Sequence, residues 1–179
     1  MTYRKSTYTL ATSLLLAIVT ASTAAAQTPV TTDFLKVQVT VNSPEDGQIT
    51  PDERLTLREA IAITNGTLTS TDLSTAEQQQ VTSSSSNSVI AFDLPADDTT
   101  IELQSLLPVL AQPGLIIDGT TQLGYDATKS ATAEILVAIP VVEITAAKDA
   151  EVFRGLTIVA DDITIRGLSL HGFTSKHRA

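Results

Sequence analysis

Three short runs, Leu156-Thr-Ile-Val159, Ile163-Thr-Ile-Arg166 and Leu168-Ser-Leu170, follow one another with gaps of three residues and then one. Each is rich in aliphatic side chains that favour extended backbone. The gaps are too short to fold long strands back as hairpins. A chain that makes short strands and turns sharply after each one is coiling, with every turn stacked on the one below. The same texture runs back to Ser88. Val89-Ile-Ala-Phe92, Thr100-Ile-Glu-Leu103, Leu115-Ile-Ile-Asp118 and Val141-Val-Glu-Ile144 are further β-rich runs. Turn pairs lie among them, at Asp97-Asp98, Pro113-Gly114, Asp118-Gly119, Asp161-Asp162 and Arg166-Gly167. The pattern predicts a mainly β chain folded as a parallel β-helix of a few rungs. Ile158, Ile163, Ile165, Leu168 and Leu170 are expected to face inward as aliphatic ladders. Aromatic residues make up only 4% of the chain, which suits a narrow tube filled by Ile, Leu and Val. A β-sandwich is the competing arrangement.

Upstream, Leu35 to Val41 alternates apolar and polar residues, the period of a half-buried strand. Asn42-Ser-Pro-Glu-Asp-Gly47 ends it with turn formers. Thr56-Leu57-Arg58-Glu59 has the form of a capping box. Leu57, Ala60, Ile61 and Thr64 then share one helical face, and Asn65-Gly66 supplies a stop. A second box at Thr50-Pro51-Asp52-Glu53 would start the helix earlier. The start at 57 is preferred, with Leu55 as an apolar lead-in. Residues 69–88 are polar and read as a loop, with a helical turn near Asp72 to Gln80.

The amino terminus has the order charged, apolar, small. Arg4 and Lys5 precede Leu10–Val19, and Ala21–Ala26 precedes Gln27. This is the layout of a secretory signal peptide, with Ala24 and Ala26 fitting a cleavage site. The apolar stretch falls short of the ~20 residues of a membrane-spanning helix. The expected organisation is a signal peptide at 1–26, a linker at 27–36, a strand plus capping helix at 37–68, a polar loop at 69–88, β-helix rungs at 89–174 and a tail at 175–179. The expected location is outside the cell or on its surface, with no membrane span.

The whole chain carries a net charge of −9. Without the two basic residues of the leader, nine basic residues oppose 20 acidic ones, giving −11. Such a surface repels nucleic acid and anionic membranes. There is no cysteine, which excludes disulfides, thiolate zinc sites and a cysteine nucleophile.

Leu55-Thr-Leu-Arg-Glu-Ala-Ile61 resembles the CSLREA-type domain of exported bacterial proteins. Leu55 stands where that motif has cysteine, and Thr56 replaces its serine while keeping a capping hydroxyl. Leu107 to Gln122, which contains Ile117-Asp-Gly-Thr-Thr-Gln122, is similar to a stretch of the same β-helix proteins, as is Gly155 to Leu170. The similarity runs from about Val37 to Phe173. It implies a right-handed β-helix, export, and a helix at 57–65 that caps the first rung. Many proteins of this kind are large, filamentous-haemagglutinin-like surface molecules. Family members continue for more rungs, so the resemblance also implies a truncated or frameshifted form of a longer protein. A last rung without a polar cap is expected to self-associate.

Candidate sites are few. Asn42, Asp46, Gly47, Ile49 and Glu53 fall at positions 1, 5, 6, 8 and 12 of an EF-hand-like loop. Pro44 interrupts that pattern, and an acidic turn leading into a capped helix is the preferred reading. Asp97-Asp98 and Asp161-Asp162 have the chemistry of calcium ligands or catalytic acids, although turns favour Asp in any case. Asp118, Asp162 and Arg166 are candidates to converge on one face across rungs, as an acid/base and cation group. His171 and His177 make no metal motif. Asn65-Gly-Thr67 fits a glycosylation sequon as well as a helix stop. No residue is assigned a catalytic, cofactor-binding or metal-ligating role. The favoured function is that of a non-enzymatic surface or adhesin-like protein contacting carbohydrate or cell-surface components. A polysaccharide lyase or hydrolase on the same scaffold is the alternative, and a remnant without function is the third reading.

Overall fold

The computed structural model describes residues 36–173 apart from 131, 133 and 135. The expected leader, nearly all of the linker and the tail lie outside the described residues, as does His177. The described chain is mainly β. Its strands are β1 (Val37–Val41), β2 (Val81–Ser83), β3 (Val89–Phe92), β4 (Thr100–Leu103), β5 (Ile116–Asp118), β6 (Val142–Ala146), β7 (Thr164–Arg166) and β8 (Leu168–Leu170). Helix α1 spans Leu57–Thr64 and α2 spans Thr75–Gln78.

One sheet has the order β2-β1-β3-β5-β7 and the other β4-β6-β8. All pairs are parallel except β1 with β2. From β3 onward the chain therefore visits the two sheets in turn and lays each strand beside the one a circuit earlier. A third contact joins Leu110 to Ile158 in parallel. There the Leu110 N–H donates to the Thr157 carbonyl at 2.8 Å, and the Val159 N–H donates to the Leu110 carbonyl at 3.1 Å.

The register stacks aliphatic side chains. Val39, Ile90, Ile117 and Ile165 are aligned across the first sheet. Ile101, Ile144 and Leu170 are aligned across the second. Val39, Ile90, Ile117, Ile101, Ile144 and Leu110 are wholly buried. Full burial of such a side chain contributes about 1.5–3 kcal/mol. At the last circuit burial fails: Leu170 is 44% exposed and Ile158 52%, with Ile165 only partly buried. Ile158 was expected to be an interior residue. Among the described residues no further circuit lies over it.

Helix α1 starts at the residue the capping box marks. Thr56 accepts from the Glu59 N–H through its hydroxyl, and the Glu59 carboxylate accepts from the Thr56 N–H. Leu55, Leu57, Ala60 and Ile61 enter the main core cluster, and α1 packs on β1. The stretch 69–88, expected as a polar loop with a helical turn near Asp72 to Gln80, has a helical turn there, α2, and carries in addition a 3₁₀ turn at Ser70–Asp72 and strand β2. Leu68 and Leu73 anchor it beside Ala62 in a second small cluster.

Two glycines set the approach of successive turns. A Cβ on Gly119 would lie 2.2 Å from the Gly167 carbonyl oxygen. Gly167 itself has φ +66° and would place a Cβ 2.6 Å from the Thr120 nitrogen. No side chain fits between these turns.

Candidate functional site

The densest polar cluster lies at the amino-terminal end of the circuits. The Arg58 guanidinium donates to both carboxylate oxygens of Asp46, each at 2.8 Å. It also donates to the carbonyls of Leu106 at 2.9 Å and Ser105 at 3.1 Å. Asp46 accepts in addition from the Gln104 N–H at 2.8 Å. The two side chains are 11% and 1% exposed, so this is an inner pair with every strong donor aimed at a partner. Two turns further on, at the C-cap of α1, the Asn65 amide clips the same edge. Its nitrogen donates to the Val109 carbonyl at 2.7 Å, and its oxygen accepts from the Ala111 N–H at 3.1 Å. Those groups flank Leu110 on the side away from Ile158, so Asn65 stands in for a missing strand. Its amide is engaged in this clip, which favours the helix-stop reading of Asn65-Gly-Thr67 over the glycosylation sequon. Replacing Asn65 with Ala should cost about 1–3 kcal/mol for two neutral hydrogen bonds. Replacing it with Asp should cost at least as much, because a carboxylate oxygen would face the Val109 carbonyl. Denaturant unfolding of the two variants checks both values.

Beside this cluster lies an open groove of about 370 Å³ lined by Pro44, Glu45, Asp46, Asp98, Thr100, Glu102 and Gln104. It follows the outer edge of β4. In a parallel ladder the residues bonding to the neighbour alternate. Ile101 and Leu103 turn to β6, so the backbone of Thr100 and Glu102 faces the groove. Of the pair Asp97-Asp98, only Asp98 lines it. The lining is acidic, and Arg58 beside it is already held by Asp46.

The EF-hand-like reading does not survive these geometries. The Asn42 side-chain oxygen accepts from the Leu55 N–H at 2.7 Å and closes the neck of the 42–55 loop. Both Asp46 oxygens are taken, and Ile49 and Glu53 are exposed. Among the described residues no group of three or more His, Cys, Asp or Glu side chains is placed to hold a metal ion.

The predicted convergence of Asp118, Asp162 and Arg166 is two-thirds present. Asp118 and Arg166 are register partners on β5 and β7, and their side chains are hydrogen-bonded. Asp162 is exposed in a turn with φ 60° and stays apart. Asp118 also accepts from the Thr120 N–H and hydroxyl. Arg166, and then Thr120, hold its carboxyl below the ordinary aspartate range against the opposing effect of burial. Two neighbours in the same motif act as further fasteners. The Thr121 hydroxyl accepts from the Phe92 N–H at 2.8 Å. The buried Gln122 amide pairs with both backbone groups of Leu94, at 2.8 and 2.9 Å. These long-range side-chain clips were not legible from the sequence. The Ile117-Asp-Gly-Thr-Thr-Gln122 motif is thus a corner that ties one circuit to the next. His171 lies 3.5 Å from the Glu143 carboxylate on the surface.

Glu59 behaves in the opposite sense to Asp118. Burial pushes its carboxyl up, partly offset by the hydrogen bonds from Thr56 and Thr50, and Glu77 pushes it further up. A raised folded value means that its contribution is present at low pH and fades as pH rises through that value. A lowered value at Asp118 means a contribution present above about pH 4 and lost on acidification. Glu59→Gln is therefore expected to remove a fall in Tm between acid and neutral pH. Asp118→Asn is expected to lower Tm at neutral pH and to converge with the wild type as pH falls through the lowered Asp118 value. Thermal melts across pH read both.

These fasteners and the ladders they close define a mainly β protein of parallel strand circuits with an acidic groove at one end. No family model, curated protein or solved structure matches the chain.

Proposed function

We propose that this chain is a right-handed parallel β-helix of the CSLREA type, exported and displayed at the cell surface as a non-enzymatic contact module. One observation carries the reading. The polar residues that the sequence motifs bring together, Asp46, Arg58, Asn65, Asp118, Thr121, Gln122 and Arg166, are spent on holding one circuit to the next. A scaffold needs such fasteners, whereas a catalytic group needs an acid or base free to meet substrate. The alternating sheets and three aligned contacts support the β-helix. No helix among the described residues is long and apolar enough to cross a membrane.

The lyase or hydrolase alternative requires an acidic polysaccharide to approach carboxylates. The groove bears Glu45, Asp98 and Glu102, which repel a polyuronate rather than bind it. The test offers the purified chain, with calcium, to pectin, alginate and neutral glycans. The proposal predicts adhesion to a glycan or to whole cells and no chain cleavage. Release of unsaturated sugars would overturn it in favour of a lyase, and new reducing ends without unsaturation would overturn it in favour of a hydrolase.

A further inference from the structure

We propose that the free edge of β4 is a docking site for an extended, basic polypeptide segment, which joins the second sheet as an added strand. The inference goes beyond surface display and rests on the strand register alone. β4 is the outermost strand of its sheet, with β6 on one side and, among the described residues, no strand on the other. Along its inner side the Thr99 and Leu103 carbonyls accept from the Glu143 and Ala147 N–H groups, each at 3.0 Å. The N–H and C=O groups of Thr100 and Glu102 therefore point the opposite way. At Gln104, the next position on that outer edge, the N–H is met by Asp46 at 2.8 Å. The backbones of Thr100 and Glu102 have no such partner among the described residues.

This gap is built from the middle of the chain. After β1 the chain leaves the stack in a loop whose neck is closed where the Asn42 and Ser43 N–H groups both donate to the Leu55 carbonyl, at 3.0 and 3.2 Å. The first circuit thus adds no strand to the second sheet. Pro44 and Glu45 of the loop line the groove together with β4, and Pro44 has no N–H to offer that edge. Charge selects the occupant. Glu45, Asp98 and Glu102 are exposed along the groove, and Arg58 beside it is spent on Asp46. Ile101 and Leu103 are buried and Glu102 is exposed, so Thr100 and Glu102 carry their side chains on the outer face of the sheet. An added strand lays every second residue beside them on that face. Lysine or arginine at those alternate positions meets Glu102, and the acidic lining steers such a segment to the edge. A segment with acids at the same positions is repelled.

Peptide titration and amide hydrogen exchange on the full chain are the test. The probe is an octapeptide alternating lysine and valine, blocked at both ends. Its binding is expected to slow exchange at the Thr100 and Glu102 N–H groups, while Ile101 and Leu103, already turned to β6, change little. Thr100→Pro removes one outward N–H and leaves the charge unchanged, and an edge position facing away from its ladder tolerates proline. It should weaken binding about tenfold. The double variant Asp98→Lys, Glu102→Lys alters two exposed side chains and should weaken binding by a similar factor at the wild-type melting temperature. The proposal is overturned by no binding of the probe, or by Thr100 and Glu102 N–H groups already protected in the free chain. Equal binding of spermine, which has charge but no amide backbone, or undiminished binding to Thr100→Pro would also overturn it, since either marks attraction of charge without strand pairing.

Discussion

Replacing Arg58 with Ala is expected to lower the unfolding free energy by about 3–5 kcal/mol, the range for breaking one partner out of a buried ion pair. The reason lies in what is left behind. Asp46, 1% exposed at its side chain, would keep only the Gln104 N–H. The Ser105 and Leu106 carbonyls would lose their donor as well. A domain of this size holds only about 5–15 kcal/mol in all, so the loss removes a large share of it. Arg58→Lys should recover only part. An ammonium cannot serve two carboxylate oxygens and two carbonyls with one fixed fork. Denaturant unfolding of the two variants checks the order, wild type above Lys above Ala. An alanine variant within 1 kcal/mol of the wild type would mean that the first circuit needs no such clamp.

Ile117→Ala should cost about 2–5 kcal/mol, as for a large aliphatic residue cut from a closed interior. Ile117 is wholly buried between Ile90 below and Ile165 above. The same truncation on the last described circuit should cost far less. Leu170 is 44% exposed, so Leu170→Ala is expected to lose less than half as much. The contrast is more telling than either value, because both positions are aliphatic members of aligned ladders. Only their place along the stack separates them. Equal losses in chemical denaturation would mean that the ladder is closed at both ends.

Where neighbours in sequence decide the structure, the chain could be read. Val89–Phe92 and Thr100–Leu103 form strands with the bounds their apolar runs suggested, and Thr56 starts the helix that its capping box announced. Val81–Ser83 was missed because an edge strand with one apolar side chain has no alternation to show. Leu156–Val159 looks like a strand but pairs only at Ile158. Its partner Leu110 sits between Pro108 and Pro113, neither of which has an N–H to extend a ladder. The site was less legible still. Asp46 and Arg58 lie 12 residues apart, and Asn65 reaches its carbonyl 44 residues away. The acids of the 42–53 loop had the spacing of cation ligands, but spacing carries no information about which oxygens a distant donor has already claimed. Asp118 and Arg166 could be suspected of meeting because each opens a turn after a strand, and circuits stack equivalent turns.

The stacked register is tested most directly by oxidative cross-linking in this cysteine-free chain. Glu102 and Thr145 are direct partners on β4 and β6, whereas Glu102 and Glu143 are two residues out of register. Directly paired strand residues stand about 4.8 Å apart, inside the range a disulfide spans, and the offset pair about 8 Å apart, outside it. The account predicts that Glu102→Cys with Thr145→Cys closes within one chain and that Glu102→Cys with Glu143→Cys stays reduced. Closure of the offset pair in preference, or of neither, would contradict a chain built from parallel circuits in this register.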